Sequence, residues 1–86
     1  MKLYLNESHG IEKKEIVGIF DMDGATVAGD TRKFLSRAER EGRATVTAED
    51  IPVSFVVTAK EGSDIRVFFT RNAPKALRRR AERRGI

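Results

Sequence analysis

Cysteine and tryptophan are absent from the sequence, and no long hydrophobic run occurs in it. Without cysteine the chain has neither a disulfide nor a thiolate metal site, which suits a reducing compartment. No stretch approaches the roughly 18 consecutive apolar residues of a membrane span, and the opening segment MKLYLNES lacks the apolar block of a signal peptide. We therefore expect a cytoplasmic protein with no membrane contact.

Histidine occurs once, as His9 in a polar turn segment, where a lone imidazole is typical of a surface residue rather than a metal ligand. The chain has 86 residues, enough for one domain whose core is thin. Contacts between subunits would add buried surface to such a small core. We expect no metal and no cofactor.

Two aspartates, Asp21 and Asp23, lie in the segment IFDMDG, which resembles the phosphate-transfer motif of haloacid dehalogenases. That motif continues directly into Thr or Val, whereas here Ala25 intervenes, and its other catalytic residues require a sheet of well over about 100 residues. We interpret Asp23 and Gly24 as a tight hairpin turn with positive φ at both positions. The sequence therefore predicts no catalytic residue, and a small magnesium-dependent phosphatase using Asp21 and Asp23 is the remote alternative.

Six stretches have the apolar and β-branched content of strands: residues 2–6, a segment beginning at Ile11, and residues 16–20, 44–48, 53–58 and 65–70. Apolar residues at nearly every position of 16–20 predict a central strand that is buried on both faces. The short connection at 60–64 favours a hairpin and an antiparallel sheet. The prediction is an α+β fold: a small antiparallel sheet, one packed helix and a basic C-terminal helix.

The packed helix is predicted to begin at Gly29-Asp30-Thr31, with Asp30 or Thr31 as its N-cap, and to stop at Gly42. Its buried face consists of Phe34, Leu35 and Ala38. Arg37 and Glu41 are one turn apart and are expected to form an ion pair.

The basic helix is predicted over residues 72–84 of a single domain, 1–86, with Pro74 in its first turn. Its apolar stripe consists of Ala73, Leu77 and Ala81. At 100° per residue, the cations two positions further along lie about 200° from that stripe. These cations are Lys75, Arg79 and Arg83, with Arg78, Arg80 and Arg84 on the flanks.

The positive charge of the chain is concentrated at its C-terminal end. Residues 71–86 contain seven basic residues and one acidic residue, a net charge of +6, and residues 1–70 carry a net charge of −2. Clustered guanidinium groups bind backbone phosphates with salt-sensitive, largely sequence-independent affinity. The charge therefore favours nucleic acid as a partner. The alternatives are contact with the acidic loops of a neighbouring subunit and a merely solvated surface.

Three segments in this order and spacing resemble the Rem family of bacterial extracellular-matrix regulators, closest to its RemB branch. They are IFD at residues 19–21, TRKFL at 31–35 running on to Ala38, Glu39, Glu41 and Gly42, and IPVSFVVT at 51–58. The similarity extends over almost the entire chain. It implies a cytoplasmic, DNA-binding regulator of biofilm-matrix genes that acts as a homo-oligomer.

The resemblance also bears on the residues that would contact DNA. The RemA branch, which is associated with ring-shaped oligomers, carries arginines at the places of Glu15 and of Asp50-Ile51. DNA contact would therefore have to use the first helix or the basic tail. The residues that we expect to contact double-stranded DNA are Arg32, Lys33, Arg71, Lys75, Arg78, Arg79, Arg80, Arg83 and Arg84. A structural oligomerisation module without nucleic acid is the alternative, and no small-molecule substrate is expected.

Overall fold

A four-stranded sheet lies at the centre of the computed structural model, which describes residues 1–25 and 29–82. The strands are β1 (Lys2–Asn6), β2 (His9–Glu12), β3 (Ile16–Asp21), β4 (Ala44–Val46), β5 (Ser54–Thr58) and β6 (Arg66–Thr70). The helices are α1 (Met22–Ala25), α2 (Gly29–Arg40) and α3 (Pro74–Glu82), and a 3₁₀ turn covers Lys13–Glu15. The predicted α+β class, with a helix near the C-terminal end, is confirmed.

The strand order of the central sheet is β3-β5-β6-β4, and β1 and β2 form a separate antiparallel hairpin. β5 pairs with β3 and with β6 in antiparallel fashion, whereas β4 pairs with β6 in parallel. The predicted purely antiparallel sheet is therefore wrong at β4. The chain passes from β3 through α2 to β4, and such a helical crossover returns the chain in its original direction. The β5–β6 hairpin fills the space between.

β3 is an edge strand, so the prediction that residues 16–20 are buried on both faces is wrong. Ile19 is buried, but Val17 is 63% exposed and Phe20 is 40% exposed. All five residues of β5 are buried, which makes β5 the central strand of the apolar core. An apolar run is compatible with an edge as well as with the centre of a sheet, because neighbouring elements decide what covers it.

The predicted Asp-Gly hairpin turn is also wrong, since the chain leaves β3 through the helical turn α1. Among the described residues only Gly42 and Gly62 have positive φ. The backbone N–H of Asp23 donates to Oδ1 of Asp21 at 2.8 Å. This local hydrogen bond stabilises the start of a helical turn, an alternative use of aspartate next to a strand end. Thr26 and Val27, the expected return strand, lie outside the described residues.

The central sheet is covered on both faces. Side chains alternate along β5, so Phe55 and Val57 point to the face covered by α2, where they pack with Leu35 and Ala38. Val56 points to the opposite face. There it belongs to a cluster formed with the β1–β2 hairpin, Ile19 of β3 and α3. The result is a three-layer domain with α2 outside one face and with the hairpin and α3 outside the other.

Two asparagines tie the hairpin to the central sheet. Asn72 donates to the carbonyl oxygen of Leu5 at 2.8 Å and to Oγ1 of Thr70 at 3.0 Å. Asn6 donates to the carbonyl oxygen of Thr47 at 2.5 Å. Within the described ranges no buried side-chain nitrogen or oxygen lacks a hydrogen-bond partner. The polar groups at this junction therefore stabilise the packing of the layers.

The helix boundaries differ slightly from the prediction. α2 begins at Gly29, so Asp30 and Thr31 lie inside its first turn, and Gly42 (φ +74°) follows its end as expected. α3 begins at Pro74 rather than at residue 72 or 73, and Ala73 is exposed outside the helix. The predicted end of this helix at residue 84 lies outside the described residues. None of the helices in the described ranges has the length and apolar character needed to cross a bilayer.

The end of α2 is stabilised by a small charge cluster. Nε of Arg37 donates to Oε2 of Glu41 at 3.0 Å, which confirms the predicted pair, and Nε of Arg43 donates to Oε1 at 2.8 Å. These hydrogen bonds, first that of Arg37 and then that of Arg43, lower the pKa of Glu41. Arg43 also donates to the carbonyl oxygen of Ile65 at 2.7 Å. Glu41 thus joins α2 to the segment that precedes β6.

We expect Glu41→Gln to lower the melting temperature slightly at neutral pH and not at all in acid. Because the pKa of Glu41 is lowered on folding, its contribution is complete above the unfolded pKa and is lost as the pH falls through the folded pKa. The effect is small because the carboxylate is exposed to solvent. Thermal melts of the parent and of Glu41→Gln at about pH 7 and at about pH 2, where the carboxylate is protonated in both the folded and the unfolded state, measure it. An equal difference at both pH values would contradict this role for the charge.

Candidate nucleic-acid interface

The outer face of α3 presents two exposed cations. Leu77 is fully buried against the hairpin and β3, and it fixes the orientation of the helix. Lys75 and Arg79 each lie two positions from Leu77, about 200° around the helix, and both are exposed. Neither side chain has a hydrogen-bond or ion-pair partner among residues 1–25 and 29–82. We call Lys75 and Arg79 the α3 face.

Arg78 and Arg80 lie on the flanks of α3 and bind the strands beneath it. Nη2 of Arg78 donates to the carbonyl oxygen of Ile19 in β3 at 2.7 Å, and Nη1 of Arg80 donates to that of Tyr4 in β1 at 3.3 Å. The two arginines thus attach α3 to one strand of each sheet. Carbonyl oxygens are neutral, so both guanidinium groups keep their charge and most of their five N–H donors. Arg78 and Arg80 therefore combine a structural contact with an accessible positive charge.

Arg71 lies just before α3 and binds the loop that contains Ile51. Its Nη1 donates to the carbonyl oxygen of Ile51 at 2.5 Å. This contact positions the acidic segment at 49–52 beside Arg71, which reduces the net positive field there. Of the predicted residues in the tail, Arg71 is therefore the least suited to phosphate contact. Arg83 and Arg84 lie outside the described residues.

A second cationic surface runs along the outside of α2. Arg32 and Lys33 are exposed there and line a shallow surface groove, together with Gly29, Ser36 and Arg40. Arg40 was not among the residues predicted from the sequence. The sequence did contain this information, because Arg40 is seven positions after Lys33. Seven residues make about two helical turns, so the two side chains leave the helix in directions that differ by only about 20°. We call Lys33, Ser36 and Arg40 the α2 face.

The predicted contact residues do not form one patch. α2 packs on the Phe55 and Val57 face of the central sheet, and α3 packs on the Val56 face. Arg32 and Lys33 are therefore separated from the cations of α3 by the full thickness of the sheet. The sequence indicated both groups of cations, but it contained no information on their relative positions.

Asp21 and Asp23 lie on the surface, at the end of β3 and in α1. Both are exposed, and Asp21 accepts the backbone N–H of Asp23. In the part of the chain that the structure describes, no three His, Cys, Asp or Glu side chains are grouped so as to hold a metal ion. Nδ1 of His9 lies 3.0 Å from Oδ1 of Asn6 at the tip of the hairpin. Asp21 and Asp23 thus belong to the start of a helical turn, and Asn6 and His9 to the turn of the β1–β2 hairpin.

An apolar pocket of about 260 Å³ opens between α2 and the edge of the central sheet. Small-molecule sites usually measure about 300–1,000 Å³ and contain several converging polar groups. The residues that line this pocket are Phe20, Asp30, Thr31, Phe34, Phe55 and Val57. Most of its surface is therefore apolar, with little to orient a polar substrate.

Comparison with models of known protein families gives no match to the chain, and no curated protein matches its sequence.

Proposed function

We propose that this protein is a DNA-binding or architectural regulatory protein that acts as a homo-oligomer through phosphate contacts. The observation that carries the proposal is the α3 face. Lys75 and Arg79 are exposed and have no acidic partner in the described residues, and Leu77 holds their helix firmly against the core. Because the helix backbone is already ordered, phosphate binding by these cations costs side-chain entropy but no further backbone entropy. No catalysis and no cofactor is part of this function.

The affinity of one subunit for DNA is expected to be low. The two cations of the α3 face neutralise about two phosphates, whereas tight non-specific binders neutralise about six to ten. Several copies of the α3 face in one assembly raise the affinity, since each further contact becomes intramolecular after the first. Oligomerisation therefore belongs to the proposed mechanism. The Rem resemblance implies a cytoplasmic regulator of bacterial matrix genes. Because Glu15 and Asp50 are acidic, the contacts with DNA would come from α2 and α3.

A salt series tests the proposal. The purified protein is expected to shift a duplex of arbitrary sequence at about 0.05 M salt and to release it as the salt concentration rises. The logarithm of the binding constant should fall linearly with the logarithm of salt concentration, with a slope of about −2 for each subunit bound. Fluorescence anisotropy with a labelled duplex measures this slope. Absence of binding at about 0.05 M salt would refute the proposal.

The second candidate is a structural oligomerisation module without nucleic acid, and the open sheet edges favour it. Among the described residues, β3 and β4 form the edges of the central sheet, and Val17 and Val46 on them are 63% and 61% exposed. Edge strands with exposed apolar side chains are able to pair with another chain. Light scattering of nuclease-treated protein distinguishes the candidates. A stable oligomer that fails to bind DNA at low salt would favour the second one.

A further inference from the structure

The central sheet separates two cationic faces that point in opposite directions. Phe55 and Val57 of β5 pack beneath α2, and Val56 between them packs toward α3. Successive side chains of a strand point to opposite sides of a sheet. Each helix buries one side against the sheet and exposes the other. The α2 face and the α3 face are therefore directed away from each other.

The residues of the α2 face suit phosphate binding independently of the α3 face. Lys33 and Arg40 are exposed, and neither has a polar partner among the residues that the structure describes. Of the acids of α2, Asp30 lies about 70° to one side of the line through Lys33 and Arg40, and Glu39 lies about 110° to the other side. Arg37 lies at the margin of this face and is paired with Glu41. A row of cations thus runs along the outside of α2 with its acids at the borders.

A single duplex is poorly suited to contact both faces of one subunit. The smallest extent of the molecule is 22 Å, so a duplex on both faces would have to reverse direction around it. Smooth bending by about 90° within about 20–30 base pairs is already costly, and the elastic cost rises with the square of the angle. Two separate duplex segments reach the two faces without any bend.

From this arrangement, and resting on the proposed function, we infer that each subunit bridges two DNA segments, one on the α2 face and one on the α3 face. The partner of the α2 face is thus the phosphate backbone of a second duplex. Such a protein brings distant parts of one DNA molecule together rather than marking a single site. The effect depends on salt at both faces, because both contacts are made by exposed cations.

A capture assay tests the inference. One duplex is immobilised on beads, a second fluorescent duplex of unrelated sequence is free, and full-length protein is added at about 0.05 M salt. We expect the parent protein to capture the free duplex. Lys33→Glu with Arg40→Glu is expected to reduce capture by at least about tenfold and to leave one bound duplex segment for each subunit instead of two.

The control variant is Lys60→Glu with Arg66→Glu. It changes the net charge by the same amount at exposed positions near Glu12, Glu15 and Asp64. We expect this variant to capture the free duplex like the parent. Circular dichroism and light scattering of each variant test whether its fold and subunit number match those of the parent.

The outcomes separate the inference from the proposed function. Capture that survives Lys33→Glu with Arg40→Glu would mean that oligomers bridge DNA through α3 faces alone, which overturns the inference. Loss of binding to both duplexes in that variant, with the fold intact, would mean that the two faces serve one duplex, which overturns it as well. Parent protein that binds one duplex but captures no second refutes the inference and leaves the proposed function standing. Parent protein that binds no duplex refutes the proposed function itself.

Discussion

Replacing Lys75 and Arg79 together by glutamate is expected to lower the affinity for duplex DNA by on the order of 100-fold at about 0.05 M salt. Each phosphate contact contributes about 0.9 to the slope of the logarithm of affinity against that of salt concentration. With about 1 M salt as the reference concentration, the loss of two contacts lowers the binding constant at about 0.05 M salt by a factor of that order. The two glutamates also repel the phosphates. Both positions are exposed, so the free energy of unfolding should change little.

Fluorescence anisotropy across a salt series measures this change, with the parent and the double variant at equal concentration. The slope should become less steep by about 2 for each bound subunit. Lys60→Glu with Arg66→Glu again serves as the control, because it produces the same change in net charge at exposed positions that lie on neither α2 nor α3. A similar loss of affinity in the control would show that total charge, and not the α3 face, determines binding.

Leu77→Ala is expected to destabilise the domain by about 2–5 kcal/mol. Leu77 is completely buried and packs with Leu3, Leu5, Ile19 and Val56, so its removal leaves a cavity where the hairpin, β3 and α3 meet. A domain of 86 residues has a total stability of about 4–13 kcal/mol. The melting temperature should therefore fall by on the order of 10–20 °C or more.

Thermal and denaturant melts followed by circular dichroism measure this change. Leu77→Met nearly conserves the volume and should cost less than about 1.5 kcal/mol. Lys75→Ala, on the exposed side of the same helix, should stay within about 0.5 kcal/mol of the parent. A melting temperature of Leu77→Ala equal to that of Lys75→Ala would show that α3 is not part of the cooperative core.

The elements of the fold were largely predictable, because their signals are local. Pro74 in the first turn of a helix, Gly42 after the end of another and the apolar pattern of β5 each act within a few residues. The arrangement of the sheet was not predictable in the same way. Pairing of β4 with β6 depends on the crossover through α2, and the edge position of β3 depends on what packs beside it.

The Asp-Gly turn shows how a local signal fails. Asp23 and Gly24 suit a hairpin, but Met22–Ala25 form the helical turn α1, and β3 pairs with β5, which comes much later in the chain. Asp21 instead accepts the N–H of Asp23 and starts a helical turn. Residues that suit two conformations adopt the one that the rest of the sheet permits.

The sequence by itself determined the charge of the C-terminal segment and the period that places Lys75 and Arg79 opposite Leu77. Both follow from composition and from the fixed geometry of a helix. Only the tertiary structure decided that Arg78 and Arg80 bind strand carbonyls, and that the cations of α2 and α3 lie on opposite faces of one sheet. The physical reason is that contacts between residues far apart in the chain depend on how the layers pack, which no local pattern specifies.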